Sequence, residues 1–274
     1  MDTSKKISIL MGIYNCAPTL PEAIDSILAQ TYPNWELILC DDGSTDDTYQ
    51  IAEGYRARWP EKIILLKNET NMGLNHTLNR CLERATGEYI ARMDGDDISL
   101  PQRFERELAA FAEEPDLAVV SCAMIYFDEQ GDWSSGGTVC PYPKKDMLVR
   151  GTVHCHAPCM VRAEVMRAVG GYTEDHRLLR VEDWHLWLKL YAAGYRGRNL
   201  EEPLYKMRDD RAAAGRRKLR YRLNEAYVSR LAVKELGLPA VNYLFSLRPI
   251  LVGLLPGPVY HYLHRRKLGA QRQE

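Results

Sequence analysis

The sequence has no apolar run of the roughly 20 residues that a membrane-spanning helix requires. Its seven cysteines are odd in number and irregularly spaced, and no secretory apolar segment precedes them, so a disulfide framework is not expected. The apolar run after Lys5 and Lys6 is too short for a signal peptide and fits a first strand better. These absences predict a cytoplasmic protein and leave contact with a membrane surface open.

Charge is unevenly distributed along the chain, although its formal sum is only -1. From Arg208 to the end there are fourteen Lys or Arg and five Asp or Glu, a balance of +9, so residues 1–207 carry -10. With 46% hydrophobic and 27% charged residues the composition is globular, and 274 residues suffice for one α/β domain with an appendage. An acidic body without a recognised motif argues against nucleic-acid binding.

Continuous apolar runs recur about every 26 to 30 residues, the length of a β-α unit. The predicted strands are Ile7–Ile13, Trp35–Cys40, Ile63–Lys67, Tyr89–Met93 and Leu117–Phe127. Because the runs are continuous rather than alternating, they predict a mostly parallel sheet with helices on both faces. A capping box at Thr19 and Glu22 predicts the start of the first helix, and Leu204–Arg208 is predicted as an edge strand.

Clustered carboxylates follow the fourth predicted strand, in the segment Asp94-Gly95-Asp96-Asp97. In an open α/β sheet, ligands bind beyond the carboxyl ends of the strands. Three carboxylates this close repel one another unless a cation lies among them, and a divalent ion with oxygen ligands fits that need. The segment therefore predicts metal-dependent phosphate chemistry, with an acidic turn that caps the next helix as the alternative.

From about residue 212, basic and apolar segments alternate along the chain. Basic residues crowd the predicted helix at 216–222, Val241–Leu263 is apolar but interrupted by three prolines, and a basic cluster follows at 265–267. Apolar stretches between basic clusters, too broken to span a bilayer, predict a helical, partly amphipathic extension that lies in the membrane interface. The alternative is a helical pair that packs on the catalytic domain or on a partner subunit, including a homodimer.

The motifs, taken in order, resemble family 2 glycosyltransferases of the GT-A fold. They are Tyr14-Asn15, Asp41 to Asp46, Asn71-Met72-Gly73, Thr86 to Ala91, Asp94 to Asp97, His156 to Arg162, Gly170-Gly171-Tyr172 and Glu182-Asp183. A lone Asp-x-Asp is a weak signal, but this ordered set is specific. The resemblance covers residues 5 to 208, and it implies a GT-A catalytic domain over 1–208 and an extension over 209–274.

The resemblance implies a metal-dependent, inverting hexosyltransferase that uses a nucleotide sugar, most often a UDP-sugar. By position, Tyr14 and Asp42 are expected to contact the nucleobase, and Asp94 the ribose. Asp96 is expected to hold Mn²⁺ or Mg²⁺ against the diphosphate. Asp183 is expected to act as the general base that takes the proton of the acceptor hydroxyl.

Three further residues receive secondary roles from the same resemblance. Glu182 could exchange roles with its neighbour Asp183, His156 is placed on the acceptor side, and Arg208 could meet a phosphate of donor or acceptor. His156 also belongs to a group with the composition of a zinc site, together with His154, Cys155 and Cys159. The resemblance needs no zinc there.

The Gln-x-x-Arg-Trp segment of processive synthases is absent, so addition of one sugar followed by release is expected. With an interfacial extension, the predicted acceptor is a lipid-linked saccharide for a bacterial surface polysaccharide or lipopolysaccharide, at the inner face of the cell membrane. One alternative is a sugar-1-phosphate nucleotidyltransferase, but Met11–Pro18 lacks the Gly-rich, Arg-containing loop of those enzymes. Another is a catalytically silent sugar-nucleotide-binding scaffold, against which Asp42, Asp96 and Asp183 together argue.

Overall fold

A nine-stranded sheet forms the centre of the protein in the computed structural model, which describes residues 3–136, 140–209 and 219–254. The strands are β1 (Ile7–Ile13), β2 (Trp35–Asp41), β3 (Ile63–Lys67), β4 (Tyr89–Arg92), β5 (Ile98–Ser99), β6 (Leu117–Asp128), β7 (Gly131–Gly136), β8 (Met160–Arg162) and β9 (Arg196–Arg208). The helices are α1 (Leu20–Leu28), α2 (Thr48–Arg58), α3 (Leu74–Arg84), α4 (Arg103–Glu113), α5 (Ala163–Ala168), α6 (Glu182–Ala192), α7 (Leu219–Glu235) and α8 (Leu247–Gly253). Short 3₁₀ helices span Lys145–Val149, His176–Leu178 and Ala240–Ser246.

The strand order is β3-β2-β1-β4-β8-β6-β9-β5, and β7 pairs with β6 outside this path. Strands β3, β2, β1 and β4 run parallel. The three-residue β8 is antiparallel to both β4 and β6, while β6 and β9 are again parallel. The predicted α/β fold with a parallel core is therefore confirmed.

Strand β1 explains why both faces of the sheet carry helices. Its odd-numbered residues from Ile7 to Ile13 belong to one apolar core together with α1, whereas Leu10 belongs to a second core with Leu78 and Cys81 of α3. Successive side chains of a strand point to opposite faces, so a run of apolar residues supplies both cores. The continuous runs in the sequence were thus a correct signal of a doubly covered sheet.

The carboxyl ends of β1, β2 and β4 meet at one edge of the sheet. Ile13 lies opposite Asp41, and Leu10 lies opposite Arg92. The residues that follow each strand therefore emerge side by side, as expected for the ligand-binding edge of an open α/β sheet.

The last strand differs from its prediction in both length and place. It begins at Arg196 rather than at Leu204, and it lies between β6 and β5 rather than at an edge. The register with β6 shifts where Cys122 faces Leu200 and Ala123 faces Pro203. A proline within a strand is tolerated at such a bulge. The sequence before Leu204 therefore does not show the pattern of a regular strand.

The capping box predicted at the start of α1 is also wrong. Thr19 has helical backbone angles and makes no side-chain cap hydrogen bond. Its hydroxyl donates instead to the carbonyl of Gly95 at 3.0 Å, and Glu22 pairs with Arg208. Both side chains therefore bind the acidic loop and its surroundings rather than the helix end.

The C-terminal helices pack on the body of the protein. Val228, Ala232 and Val233 of α7 are buried in the same core as α6, while α8 and the Ala240–Ser246 helix pack against α7. No helix among the described residues is long and apolar enough to cross a membrane. Of the predicted basic stretch at 216–222, Arg220 and Arg222 belong to α7, whereas residues 216–218 and the predicted basic cluster at 265–267 lie outside the described residues.

Candidate active site

Asp94 leaves the end of β4 and is held there by Arg92. The Arg92 Nη1 donates to Asp94 Oδ2 at 2.6 Å, and its Nη2 donates to the other carboxylate oxygen. Arg92 is buried, and burial alone would lower its pKa, but the electrostatic effects of Asp94 and other neighbouring groups together outweigh burial, so the pKa is raised. Arg92 therefore stays charged, and its two contacts fix the orientation of Asp94.

Arg103 of α4 supports this pair from behind. Its Nη2 donates to the backbone carbonyl of Arg92 at 2.9 Å, and its Nε donates to Glu107 Oε1 at 3.2 Å. Arg103 and Glu107 are both fully buried. A rigid buried pair thus fixes the strand end from which the acidic loop departs.

Three carboxylates of the acidic loop lie close together. One oxygen each of Asp94, Asp96 and Asp97 falls within 4.8 Å of the others. Desolvation and the charge of Asp94 raise the pKa of Asp96, although its side chain is exposed. Desolvation and the charges of Asp94 and Asp96 raise the pKa of buried Asp97 to about 8. Burial is the larger cause of both shifts, and repulsion among the carboxylates adds to it. An oxygen-rich cluster of this kind suits a hard divalent cation.

Arg208, at the end of β9, is placed beside the acidic loop. Its backbone N–H donates to Asp97 Oδ1 at 2.7 Å, and its Nε donates to the carbonyl of Asp96 at 2.9 Å. The guanidinium also pairs with Glu22 and lies 4.4 Å from the centre of the Phe127 ring. Arg208 is therefore engaged in holding the loop, and its predicted contact with a phosphate stays a prediction.

The carboxylate of Asp42 organises the loop after β3. It accepts hydrogen bonds from Asn68 Nδ2 at 2.7 Å, from the Met72 N–H at 2.8 Å and from the Gly73 N–H at 2.9 Å. Asp42 is buried. Tyr14, in contrast, is 48% exposed at the end of β1, so its ring is open to a ligand. The two predicted nucleobase contacts differ in accessibility, and both stay predictions.

Glu182 and Asp183 lie in the first turn of α6. Asp183 Oδ2 accepts a hydrogen bond from Thr152 Oγ1 at 3.0 Å. Desolvation raises the pKa of Asp183, and desolvation with the charge of Asp183 raises that of Glu182. Arg92 lowers both values by its charge. Its guanidinium therefore acts electrostatically on this pair as well as on Asp94.

His156 is neutral and hydrogen-bonded. Its Nε2 lies 2.8 Å from the hydroxyl of Tyr172, and desolvation and the charge of Arg92 lower its pKa well below the usual range. His154 forms two hydrogen bonds: its Nδ1 lies 2.6 Å from Asn199 Oδ1, and its Nε2 lies 3.1 Å from the hydroxyl of Tyr191. Within the described ranges, the acidic loop alone brings three metal-binding side chains together, so the zinc alternative is not supported.

Sequence reasoning missed Arg92, Arg103 and the distinct behaviour of Asp97. For Arg92 a signal existed, because residues two apart in a strand point to the same face and Asp94 follows it at that spacing. No comparable signal existed for Arg103. Its role depends on the packing of α4 against the strand end, which the local sequence does not specify.

Comparisons with known proteins agree with this geometry. The profile of "Glycosyl transferase family 2" matches residues 8–169, and that of "Glycosyl transferase family group 2" matches residues 89–264. The chain is 42% identical to the putative glycosyltransferase EpsE of Bacillus subtilis, over 100% of this chain and 98% of the relative. It is 28% identical to a UDP-Gal:α-D-GlcNAc-diphosphoundecaprenol β-1,3-galactosyltransferase of Escherichia coli, over 97% of each chain.

The fold matches that of solved glycosyltransferases. The mannosyltransferase PcManGT from Pyrobaculum calidifontis, in complex with GDP-Man and Mn²⁺, superposes with a TM-score of 0.67. The match covers 99% of this chain and 77% of that one at 20% identity. The protein therefore belongs to family 2 of the glycosyltransferases and has the GT-A fold.

Proposed function

We propose that the protein transfers one sugar, with inversion, from a nucleotide sugar to a hydroxyl of a lipid-linked saccharide in bacterial surface polysaccharide or lipopolysaccharide synthesis. The observation that carries this proposal is that two separate sets of carboxylates lie near the same arginine. The acidic loop from Asp94 to Asp97 and the pair Glu182-Asp183 both lie in the electrostatic field of Arg92. One group suits a diphosphate with its cation, and the other suits proton transfer.

The donor is proposed to be a UDP-sugar. The galactosyltransferase relative carries UDP-Gal in its name, whereas the structural neighbour holds GDP-Man, so the nucleobase must be tested. Tyr14 offers an exposed ring for stacking. In this proposal Tyr14 and Asp42 contact the nucleobase, and Asp94 contacts the ribose.

Asp96 is proposed to hold Mn²⁺ or Mg²⁺, with Asp94 and Asp97 beside it. The three oxygen donors fit a hard cation. Burial, and after it the charges of the neighbouring carboxylates, raise the pKa values of Asp96 and Asp97, and a bound cation would offset the second effect. When bound, a divalent cation stabilises the charge that develops on a leaving diphosphate. Arg92 keeps Asp94 in place for this arrangement.

Asp183 is proposed to be the general base. An acceptor hydroxyl is a weak nucleophile, so a carboxylate must take its proton as the new bond forms. The raised pKa of Asp183 makes it a stronger base than an ordinary aspartate, while Thr152 orients one oxygen. Attack from the face opposite the leaving group inverts the anomeric carbon, so no covalent sugar–enzyme intermediate forms. Glu182 remains the alternative base, and neutral His156 is proposed to face the acceptor.

We propose that residues 1–208 form the catalytic domain and residues 209–274 an extension. The acceptor side of the catalytic domain is proposed to lie at the inner face of the cell membrane. Four side chains of the last helices, Val241, Leu244, Leu251 and Leu254, are 63% to 66% exposed. Exposed apolar side chains near basic residues are typical of interfacial helices. The galactosyltransferase relative is named for a lipid diphosphate acceptor, and the same acceptor class is proposed here.

Calorimetric titration with UDP, GDP and dTDP, each with Mn²⁺ and with EDTA, tests the donor site. Tight binding of one nucleotide that requires metal and is lost in Asp96→Ala is expected. Asp116→Ala is the matched control, because Asp116 is an exposed surface aspartate paired with Arg196. Absence of nucleotide binding under all conditions would contradict the donor-site assignment. Binding without donor hydrolysis or transfer would favour a silent scaffold.

Sedimentation with vesicles of phosphatidylglycerol and phosphatidylcholine tests the membrane contact. The double variant Leu244→Asp, Leu251→Asp is expected to lose vesicle binding, whereas Trp59→Asp, which alters an exposed aromatic residue after α2, is expected to retain it. Equal sedimentation of all three proteins would contradict an interfacial role for the last helices.

A further inference from the structure

A groove of about 440 Å³ lies between α7 and the two short helices that follow it. Its lining residues on α7 are Leu223 and the residues 3, 4, 7, 8 and 11 positions later, and those on the second wall are Tyr243 and the residues 3, 4 and 7 positions later. This spacing places each set on one face of its helix. Leu223, Tyr243 and Leu247 are 40% to 51% exposed. The groove is therefore open to solvent and has the volume of a ligand site.

The two walls of the groove run in opposite directions. A Cβ atom on Gly253, the last residue of α8, would lie 2.9 Å from Arg222 Cγ near the start of α7. The end of α8 thus meets the beginning of α7. Leu223 and Ile250, which lie next to these two positions in sequence and both line the groove, therefore share one end of it.

Two cations line the groove toward its other end. Arg230 and Lys234 follow Leu223 by seven and eleven residues, which is about 10 and 16 Å along a helix. Both side chains are exposed, and no carboxylate in the described part of the chain forms an ion pair with either. None of the lining residues is acidic. The groove is thus aliphatic at one end and positively charged toward the other.

The groove adjoins side chains that are proposed above to enter the membrane interface. Leu251 is 63% exposed and follows Leu247 by one position more than a helical turn, since the two are four residues apart on α8. Residues at this spacing are neighbours on a helix surface, and Leu247 lines the groove. The groove therefore opens beside the interfacial leucines.

We propose that this groove binds one anionic phospholipid of the membrane. The phosphate contacts Arg230 and Lys234, and one acyl chain follows Leu223, Leu247 and Ile250. A cationic end and an aliphatic end complement a ligand with an anionic head and an apolar chain. The inference rests on the membrane contact within the proposed function, and it adds a single saturable lipid site to that contact.

A second copy of the chain fits this groove less well than an anionic lipid. A two-fold interface joins a patch to itself, and this patch contains no acidic side chain. Its burial would leave Arg230 and Lys234 without a counter-charge, which is unfavourable. The lipid part of an acceptor is also less suitable, because no lining residue belongs to the acidic loop or to the first turn of α6.

Calorimetry with a soluble lipid tests the site without vesicles. The probe is lauroyl lysophosphatidylglycerol below its critical micelle concentration, and saturating UDP and Mn²⁺ keep the donor site occupied. One molecule is expected to bind per chain. Lauroyl lysophosphatidylcholine, which has the same acyl chain and no net charge, is expected to bind at least about tenfold more weakly. Glycerol phosphate, which lacks the chain, is expected to bind more weakly still.

Variants separate the charged end from the aliphatic end. Arg230→Gln and Lys234→Gln are each expected to raise the Kd for lysophosphatidylglycerol about fivefold and to leave the Kd for lysophosphatidylcholine unchanged. Leu223→Asp is expected to weaken the binding of both lipids. The matched controls are Arg248→Gln and Leu244→Asp, because both residues are exposed and neither lines the groove. Both controls are expected to bind the soluble lipids as the parent protein does.

Four results would overturn the site. Equal affinity for the two lysolipids, or equal losses in the controls and the groove variants, would show that the groove does not recognise an anionic lipid. Tighter binding of farnesyl diphosphate than of lysophosphatidylglycerol would assign the groove to a polyprenyl ligand. A dimer that Leu223→Asp dissociates in analytical ultracentrifugation would assign it to a second copy of the chain.

Vesicle sedimentation and metal-dependent UDP binding, measured on the same samples, separate this inference from the proposed function. If the protein sediments with vesicles and binds UDP but does not bind lysophosphatidylglycerol, the lipid site fails and the proposed function stands. If UDP does not bind, the donor-site assignment fails whatever the lipid result.

Discussion

The guanidinium of Arg92 contacts both carboxylate oxygens of Asp94, with 2.6 Å between Arg92 Nη1 and Asp94 Oδ2. Lysine cannot reproduce this planar, two-point contact. Residues that orient a metal site typically contribute 10–100-fold to metal affinity or activity. Arg92→Lys is therefore expected to lower metal-dependent nucleotide affinity by about 10–100-fold in calorimetry. Arg106→Lys, which alters an exposed pair with Glu202, is expected to have no effect; equal affinities in both variants would exclude the orienting role.

Asp183→Asn should separate activity from stability. Loss of a general base costs about 10²–10⁴ in rate, so kcat is expected to fall by that factor with little change in donor KM. Glu182→Gln is the comparison: a larger loss there would assign the base to Glu182. The pH profile of kcat/KM is expected to have its acid limb above the usual aspartate pKa, because desolvation raises the pKa of Asp183.

The same substitution should raise stability at neutral pH. A raised pKa means that the folded protein binds more protons than the unfolded chain between the usual aspartate pKa and the raised value. The free energy of unfolding therefore falls as pH rises through that window, and asparagine carries no such penalty. Asp183→Asn is expected to unfold at a higher temperature than the parent at pH 7.5, and this advantage should disappear toward pH 3.5. A variant less stable at both values would contradict the prediction.

Buried His154 predicts a loss of stability in mild acid. Burial lowers its pKa to about 4 from 6.5, partly opposed by the hydrogen bond with Asn199. The unfolded chain binds a proton below pH 6.5 and the folded chain does not, so the stability contribution is complete above 6.5 and is lost as pH falls toward 4. The cost is about 3 kcal/mol, measurable by urea unfolding at pH 7 and pH 4.5.

Two variants check the origin of that acid sensitivity. His154→Gln is expected to show a smaller fall in unfolding free energy between the two pH values. His176→Gln, at a histidine whose side chain is 93% exposed, is expected to keep the parent slope. If the fall in unfolding free energy between the two pH values is unchanged in both variants, His154 is not its source. His185 is then the next residue to test, because burial also lowers the pKa of His185 to about 4.

Gly43 is expected to be required for the position of the loop after β3, which the carboxylate of Asp42 holds. Its φ is +74°, and a Cβ atom would lie 2.7 Å from the carbonyl carbon of Thr70. Gly43→Ala should destabilise the protein by roughly 1–3 kcal/mol and weaken nucleotide binding by displacing the loop that Asp42 holds. Gly54→Ala is the control, because nothing lies within 4 Å of the added methyl group, and alanine in a helix should raise stability by about 0.5–1 kcal/mol. Thermal unfolding of both variants decides the point.

The sequence predicted the parts of this fold that depend on local periodicity. The runs at β1, β2, β3 and β4 are continuous and apolar, so each strand could be found without knowledge of its neighbours. Strand β8 has three residues and β5 two. Such short segments become strands only because long partners lie beside them, and no local pattern marks them.

For the site, the sequence located the carboxylates but not the groups that hold them. Asp94, Asp96 and Asp97 come together as predicted for a metal-binding loop. Their supports come from distant segments: Arg208 is 111 residues from Asp97, and Arg103 of α4 holds the end of β4 through the backbone carbonyl of Arg92. Hydrogen bonds to the backbone leave no trace in residue spacing, so this part of the site required the structure.

The position of β8 has a consequence for how the protein is made. This strand lies between β4 and β6, yet it begins only at Met160, 43 residues after Leu117 begins β6. A chain still emerging from the ribosome can pair β1, β2, β3 and β4 with one another before β8 exists, but the position beside β4 stays empty until β8 arrives. Closing that gap requires long-range contacts, which slow folding. Strand β4, from which the acidic loop departs, can therefore pair early. The contacts of the loop with Arg208 and the approach of Asp183 come late, so an unfinished chain cannot assemble both halves of the site.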